Sequence, residues 1–457
     1  MRIIRQGDQR ISKILGKREI SGKLQYRLSR YALLGQVGER FFVRNVFTGM
    51  NAELTAGEWK CLQEVSGSQT DGERLLQNKM EDLVRQGILL SEEQDELKQY
   101  EAVSVVLENL TGTPKGINNY VILPTLACNA RCVYCYEMGM PVSTMSLETA
   151  ERVAEFIART KSAGEINVTW FGGEPLTARP VISKICALLR EKGIGYRSVM
   201  VTNAMLVTEE VAKEATTDWH VKRVQVSVDG KRKDYEERKL YYAPEKHNYD
   251  TLIKAIHHLL DAGVDVILRC NYDGDNLCGM KDFLDEMREE FGNSEKLFLY
   301  FGMLYQEQKT EKCIETYRKA FDLRRYLDRT GMHYQKPDRD EFRFKVNYCM
   351  ADAPGNSVVI HPDGKLNHCE ELCAKMEMGS IFEDDFKFTM MNGTKKAHQD
   401  CRECPFLPEC KPFRRNQCPD WFPYCREFKE IESEYVFEKI ATSDTDGMRK
   451  EPERKER

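Results

Sequence analysis

The stretch Cys128-Asn129-Ala130-Arg131-Cys132-Val133-Tyr134-Cys135 gathers three cysteines on one short loop, directly after the apolar run Tyr120–Leu123. Three thiolates in so compact a loop can hold three irons of a [4Fe–4S] cube and leave the fourth iron open to a small chelating molecule. Structural zinc asks for four closed ligands, and no fourth His or Cys lies nearby in the sequence. A ligand loop at the end of a strand suits a sheet whose chemistry gathers at the C-terminal strand ends.

Working outward, five more strand-like runs follow: Ile166–Trp170, Ser198–Val201, Val224–Val228, Val264–Arg269 and Leu297–Met303. Between them Leu147–Arg159, Val181–Leu189, Thr251–Leu260 and Met280–Phe291 have helical spacing. This alternation predicts an α/β fold, a partial (β/α)6 TIM-like barrel over residues 118–335.

Residues 1–100 read as a winged-helix-like recognition domain. Strands are expected at Tyr31–Leu34, Arg40–Val46 and Ile88–Leu90, and residues 1–20 are expected to fray. Thr55 before Glu58 and Thr70 before Glu73 have capping-box spacing, and Gly87 is placed to end a helix. Ten Lys/Arg against twelve Asp/Glu over residues 20–100 make a poor footprint for phosphate; an exposed strand edge that accepts an extended peptide fits better. Residues 101–117 read as a linker and 431–457 as a charged tail. Residues 336–430 form a Cys-rich region in which Val358–Ile360, the turn Pro362-Asp363-Gly364 and Lys365–Asn367 make a hairpin.

Composition narrows the class. The chain has 457 residues, 41% hydrophobic and 31% charged, with a net charge of -5 and both signs interspersed, so nucleic acid is not an expected partner. With no apolar run of ~18 residues and no charged-then-apolar leader, no membrane span is expected and the cytoplasm is the default compartment. Sixteen cysteines, eight of them between Cys349 and Cys425, then point to metal rather than disulfides.

The Cys128, Cys132, Cys135 loop with Tyr134 resembles the signature of radical S-adenosylmethionine enzymes. The resemblance implies that the open iron binds S-adenosylmethionine and that reductive cleavage releases a 5′-deoxyadenosyl radical. Further motifs stand in the order the family has. Gly172-Gly173-Glu174-Pro175 closes the second strand, its glycines letting backbone approach the ligand and Glu174 taking the methionine ammonium. Thr202-Asn203 follows the third strand, with Ala204 where relatives often have Gly. Ser227, Asp229 and Arg238 follow the fourth, with Lys239 competing for the role of Arg238, and Arg269 and Asn271 end the fifth; the resemblance gives these groups the ribose and the methionine carboxylate.

The C-terminal cysteines resemble a SPASM domain, which carries two auxiliary [4Fe–4S] clusters and would bring the total to three. By that resemblance Cys349, Cys369 and Cys418 serve the first, and Cys401, Cys404, Cys410 and Cys425 the second. Two readings stay open for the first site: Cys373 is its fourth ligand, or one iron is open to a substrate thiolate. Zinc ribbons share the paired Cys-x2-Cys knuckle, of which this chain has one, Cys401 and Cys404. The N-terminal module resembles the precursor-recognition element of maturases of ribosomally made peptides. The implied activity is crosslinking of a precursor peptide whose leader the module binds, with electrons from a low-potential donor such as flavodoxin or ferredoxin. A thioether is the first choice of bond and a carbon–carbon bond the second; side-chain oxidation of the sulfatase-maturase kind and a zinc-stabilised peptide-binding scaffold are the competitors.

Overall fold

The structure, a computed structural model, describes residues 1–111, 116–334, 356–369, 377–384, 399–410 and 424–442. Its centre is a run of parallel strands: β8 (Asn119–Thr125), β9 (Ile166–Gly172), β10 (Tyr196–Thr202), β11 (Val221–Val228), β12 (Asp265–Tyr272) and β13 (Leu297–Met303). They pair in sequence order, as consecutive strand-helix units must when each crossover returns to the next strand. Every expected strand is there, most of them extended by one to three residues at an end.

Period-two burial explains the two faces of this sheet. In β11, Val224, Val226 and Val228 are buried against the helices, while Gln225 and Ser227 on the other face are only half-buried. The same alternation in β9 buries Val168 and Trp170 and leaves Thr169 and Phe171 half-buried. Helices Leu147–Thr160, Arg179–Glu191, Tyr249–Asp261 and Met280–Phe291 cover the outer face, each presenting an apolar stripe to one large core. The inner, concave face is thus the one left open.

β8 is not the sheet edge. The expected hairpin, β14 (Ser357–Ile360) and β15 (Lys365–Asn367), docks parallel to it, and β16 (Glu377–Ser380) follows, giving the order β13-β12-β11-β10-β9-β8-β14-β15-β16. Part of the Cys-rich region therefore continues the barrel sheet.

The first hundred residues form two small sheets where one winged unit was expected. One has the order β1-β5-β4-β3, from Arg2–Arg5, Met50–Leu54, Arg40–Asn45 and Ala32–Val37; the other has β6-β2-β7, from Thr70–Asp71, Gln25–Leu28 and Leu89–Ser91. Residues 1–20 are not frayed: β1 pairs with β5, and Ile11 of helix Gln9–Leu15 is fully buried. The outer strands of that sheet are β1 and β3. Thr55 and Glu58 complete the expected capping box, but the next helix is capped by Asp71, because Thr70 is paired in β6. Gly87 lies after its helix at φ +68°. The stretch expected as a linker is largely helix, Glu96–Thr111, with Tyr100, Val103 and Leu107 buried. The expected tail begins inside helix Cys425–Thr442; residues 443–457 lie outside the described residues.

Trp170, at 0% exposure, fills the core between β9 and the helices. Trp170→Ala is expected to cost about 3–5 kcal/mol, read from urea unfolding of the metal-free chain.

Candidate functional site

Of the strand-end motifs, all but Arg269 collect at the C-terminal edge of β8 to β12. The loop after β8 is stitched to its neighbour by backbone: the amide of Gly173 donates to the carbonyl of Thr125 at 3.1 Å and that of Glu174 to Ala127 at 2.8 Å. This contact explains the glycines. A Cβ on Gly172, whose φ is +113°, would stand 2.3 Å from the Thr125 carbonyl oxygen, and one on Gly173 would stand 2.4 Å from that of Ala127. The close approach they permit here is to the segment that leads into the cysteine loop.

Glu174 is fully buried. Its Oε1 accepts from the amide of Leu176 (3.1 Å) and the hydroxyl of Thr202 (2.7 Å), and its Oε2 from the amide of Asn203 (2.8 Å), joining the ends of β9 and β10. Burial outweighs these donors and pushes its carboxyl up to about 6. Pro175 opens a 3-10 turn behind it. Asn203 spans the gap to the cysteine loop, its Nδ2 lying 2.6 Å from Asn129 Oδ1 and 3.9 Å from Cys128 Sγ. Ala204 follows at φ +68°, the left-handed region in which glycine rests without strain.

The second half of the site is a buried ion pair. Lys239, 2% exposed, places its Nζ 3.3 Å from Asp229 Oδ2 and 2.8 Å from the hydroxyl of Ser227. Burial opposes its charge, but Asp229, Tyr134 and Cys132 outweigh it and hold the ammonium well above its usual pKa. Tyr134 donates to Asp229 Oδ2 at 2.8 Å and accepts from Asn271 Nδ2 at 3.2 Å. Arg238, the expected residue, stays at the edge of this network, its Nε 4.0 Å from Asp229 Oδ1, and is shared with a carboxylate unnoticed in the sequence. It pairs with Asp273, and its guanidinium lies 5.7 Å from the Tyr134 ring centroid. Asn276, also missed, holds the turn by donating to the carbonyls of Asp229 and Asn271. Arg269 is not in this cluster; it lies exposed on the inner face of β12, 5.9 Å from the ring of Tyr300.

Segment 238–242 also clasps the cysteine loop: the amide of Arg131 donates to Leu240 and that of Val133 to Arg238, both at 3.0 Å. The thiols of Cys128, Cys132 and Cys135 are half-buried and near enough that Cys128 feels the charge of both others. Burial pushes Cys128 up to about 11. A bound metal would supply the positive charge that favours thiolate there. Beside them Asp229 Oδ1 and Asn129 Nδ2 are buried without hydrogen-bond partners, so the site keeps polar valence for a ligand. Among the described residues no three His, Cys, Asp or Glu side chains converge on a single-ion position; ligands of a cube bind separate irons and stand farther apart. Next to Cys135, burial pushes the Glu137 carboxyl up to about 7, a perturbation that composition gave no reason to single out.

Of the auxiliary cysteines, Cys349, Cys373 and Cys418 lie outside the described residues. Cys369 is half-buried just after β15. Cys404 feels the charge of Cys425, and Cys410 feels that of Cys404, so these thiols from two separate segments are gathered in one neighbourhood. Burial raises Cys404 and pushes Cys410 up to about 12.

Residues 122–291 match the model of the Radical SAM superfamily, so the segment that bears the three-cysteine loop is a radical SAM domain. In sequence the chain is similar to Fe-coproporphyrin III synthase of Methanosarcina barkeri, 27% identical over 227 residues, which is 49% of this chain and 54% of that protein. An uncharacterized protein of Methanocaldococcus jannaschii is 27% identical over 117 residues, 25% of this chain and 40% of its own length. The chain thus spans about half the length of the curated relatives it matches. In structure it is similar to anSMEcpe with bound AdoMet (TM-score 0.58, 18% identity, 72% of this chain and 99% of that one). It is also similar to SuiB of Streptococcus suis bound to S-adenosylmethionine (TM-score 0.51, 15% identity, 89% and 98%). Among the described residues no helix is long and apolar enough to cross a membrane.

Two outcomes follow. Because the folded chain holds the Glu174 proton above its ordinary pKa of 4.5, the associated stability is full below about pH 4.5 and is lost as pH rises through about 6. In the ligand-free chain this amounts to about 2 kcal/mol, and Glu174→Gln should flatten that slope in urea titrations between pH 4.5 and 7. At the neighbouring position, Ala204→Gly should stay within about 1 kcal/mol of the parent, whereas the β-branched Ala204→Val, strained at positive φ, should lose about 2 kcal/mol or more in the same assay.

Proposed function

We propose that this protein is a radical S-adenosylmethionine peptide maturase that crosslinks a ribosomally made precursor peptide and uses three [4Fe–4S] clusters. The observation that carries the reading is the meeting of three half-buried thiols, the Glu174 carboxyl and the Asp229–Lys239–Tyr134 network at one mouth of the barrel. When bound, the cluster and S-adenosylmethionine supply a hydrogen-abstracting 5′-deoxyadenosyl radical.

The residues of this chain do the placing. Cys128, Cys132 and Cys135 would take three irons, and Glu174, which has an acceptor position left on Oε2, would accept from the methionine ammonium. Arg238, or Lys239 beside it, would supply the cation for the methionine carboxylate, and Asp229, Asn271 and Tyr134 would order the ribose side. Asn203 keeps the cysteine loop at its distance from β10. The half-buried inner face, with Thr169, Gln225 and Tyr300, is where the modified residue would lie.

A peptide substrate is supported by two structural likenesses whose partners are peptides: SuiB bound to precursor peptide SuiA, matched over 89% of this chain, and anSMEcpe with the Cp18Cys peptide, matched over 72%. Residues 1–100 would hold the leader. Crosslink closure after hydrogen abstraction is a net oxidation, so an electron sink is needed; auxiliary clusters held by Cys401, Cys404, Cys410 and Cys425 and by the set around Cys349, Cys369, Cys373 and Cys418 would supply it. A thioether from a peptide cysteine is the first choice of bond, because an iron of the first auxiliary set left open by Cys373 would bind a substrate thiolate. A low-potential flavodoxin or ferredoxin would provide the reducing electron.

Anaerobic reconstitution with the precursor peptide tests this. The parent protein should be brown and should form 5′-deoxyadenosine, and the peptide should lose about two mass units per crosslink. Ala at Cys128, Cys132 and Cys135 together should abolish 5′-deoxyadenosine. Persistent 5′-deoxyadenosine in that variant removes the central assignment, and an unchanged peptide mass removes the crosslink.

A further inference from the structure

The loop that carries Cys401, Cys404 and Cys410 has almost no structure of its own: one four-residue helix, Gln399–Arg402, and one 3-10 turn, Leu407–Glu409. Three thiols on so short a loop need something outside it to fix their positions. The surrounding contacts come largely from the N-terminal module. Phe406 and Leu407, 2% and 0% exposed, pack into a cluster with Tyr31, Phe47, Tyr100 and Val103, and all three thiols lie against that cluster. Arg30 donates from Nη1 at 2.7 Å to the carbonyl of Arg402, between the first two cysteines. Most telling is Arg44 of β4, which is 1% exposed: its guanidinium pairs with Glu409, the residue before Cys410, and its Nη1 lies 3.4 Å from Ser433 Oγ on the helix that Cys425 begins.

A guanidinium is removed from water only at considerable cost, and a fixed fork toward one carboxylate specifies position more than it adds stability. The pair joins residues 365 apart in sequence and fastens both segments of the thiol neighbourhood, the Cys401–Cys410 loop through Glu409 and the Cys425 helix through Ser433. We infer that the N-terminal module is a structural wall of the second auxiliary iron–sulfur site, with Arg44 as the positioning residue that sets Cys410 through Glu409. This rests on the reading that Cys401, Cys404, Cys410 and Cys425 hold a cluster. It gives the module a role distinct from holding a leader, and it means that removing the module would disturb iron binding as well as peptide binding.

The test uses the full chain in a background with Cys128, Cys132 and Cys135 replaced by Ala, so that only auxiliary iron is counted. Iron per chain and the electron paramagnetic resonance signal of the reduced protein are compared for the background, Arg44→Leu, Arg44→Lys and Glu409→Gln. The background should hold about eight irons, Arg44→Leu should lose about four together with one of the two signals, and Arg44→Lys should keep the iron with an altered signal. Glu409→Gln should change the same signal, and it decides alone if Arg44→Leu does not fold. An iron-free background removes the auxiliary-cluster reading itself. With iron present in the background, full iron and unchanged spectra in Arg44→Leu, or in Glu409→Gln where that variant decides, overturn the role of Arg44 and leave the cluster reading standing.

Discussion

The ion pair of Lys239 with Asp229 is the constraint around which the mouth of the barrel is organised. Both side chains are almost wholly withdrawn from water, and such a pair seldom adds net stability against an apolar replacement of similar volume. What it does here is fix geometry. Asp229 ends β11, Tyr134 reaches it from the loop after β8, Asn271 reaches Tyr134 from β12, and the backbone following Lys239 clasps the cysteine loop. Two strand ends and one ligand loop are thereby held relative to a single carboxylate. Loss of Asp229 would leave a buried ammonium, and loss of Lys239 a buried carboxylate, so neither can drift without cost.

The barrel was legible because period-two and helical burial patterns were long and repeated, and because glycines and strand-end polar residues marked the same edge after β9, β10, β11 and β12. Leu297–Met303 and Met280–Phe291 were bounded correctly from pattern alone. The N-terminal sheets were harder to read. β1 and β2 are four-residue strands with mixed polarity, and their partners lie far along the chain, so no local period announces them. The capping spacing at Thr70 misled for a related reason: pairing in β6 claimed Thr70, and Asp71 was the residue left to cap.

The candidate site divides in the same way. Cysteine spacing and the Gly172-Gly173-Glu174 turn could be read because chemistry fixes both residue type and separation. Arg238 against Lys239 could not be resolved, since adjacent cations on a short helix differ by about 100° in direction, yet both reach Asp229 here, one on each carboxylate oxygen, and Arg238 is shared with Asp273. The packing of the two glycines was also out of reach at the level of the sequence. A motif shows that a Cβ is unwelcome, whereas only coordinates show that the obstacle is the Thr125 and Ala127 carbonyls.

The sheet that ends at β13 on one side continues through β8 into β14, β15 and β16 on the other, and the helix Cys425–Thr442 packs back onto β3 and helix Cys313–Thr330. The C-terminal region is therefore joined to the barrel through a shared sheet and to the first hundred residues through Arg44, Gly35 and Phe437. At Gly35 the fit is so close that a Cβ would fall 2.4 Å from the Phe437 ring, and bulk there would part the two regions. Three stretches that read as separate modules in sequence thus share their cores at the borders. One face of the first hundred residues therefore packs directly against three thiols of the C-terminal region, so a change in that face reaches those thiols without any motion between the two regions.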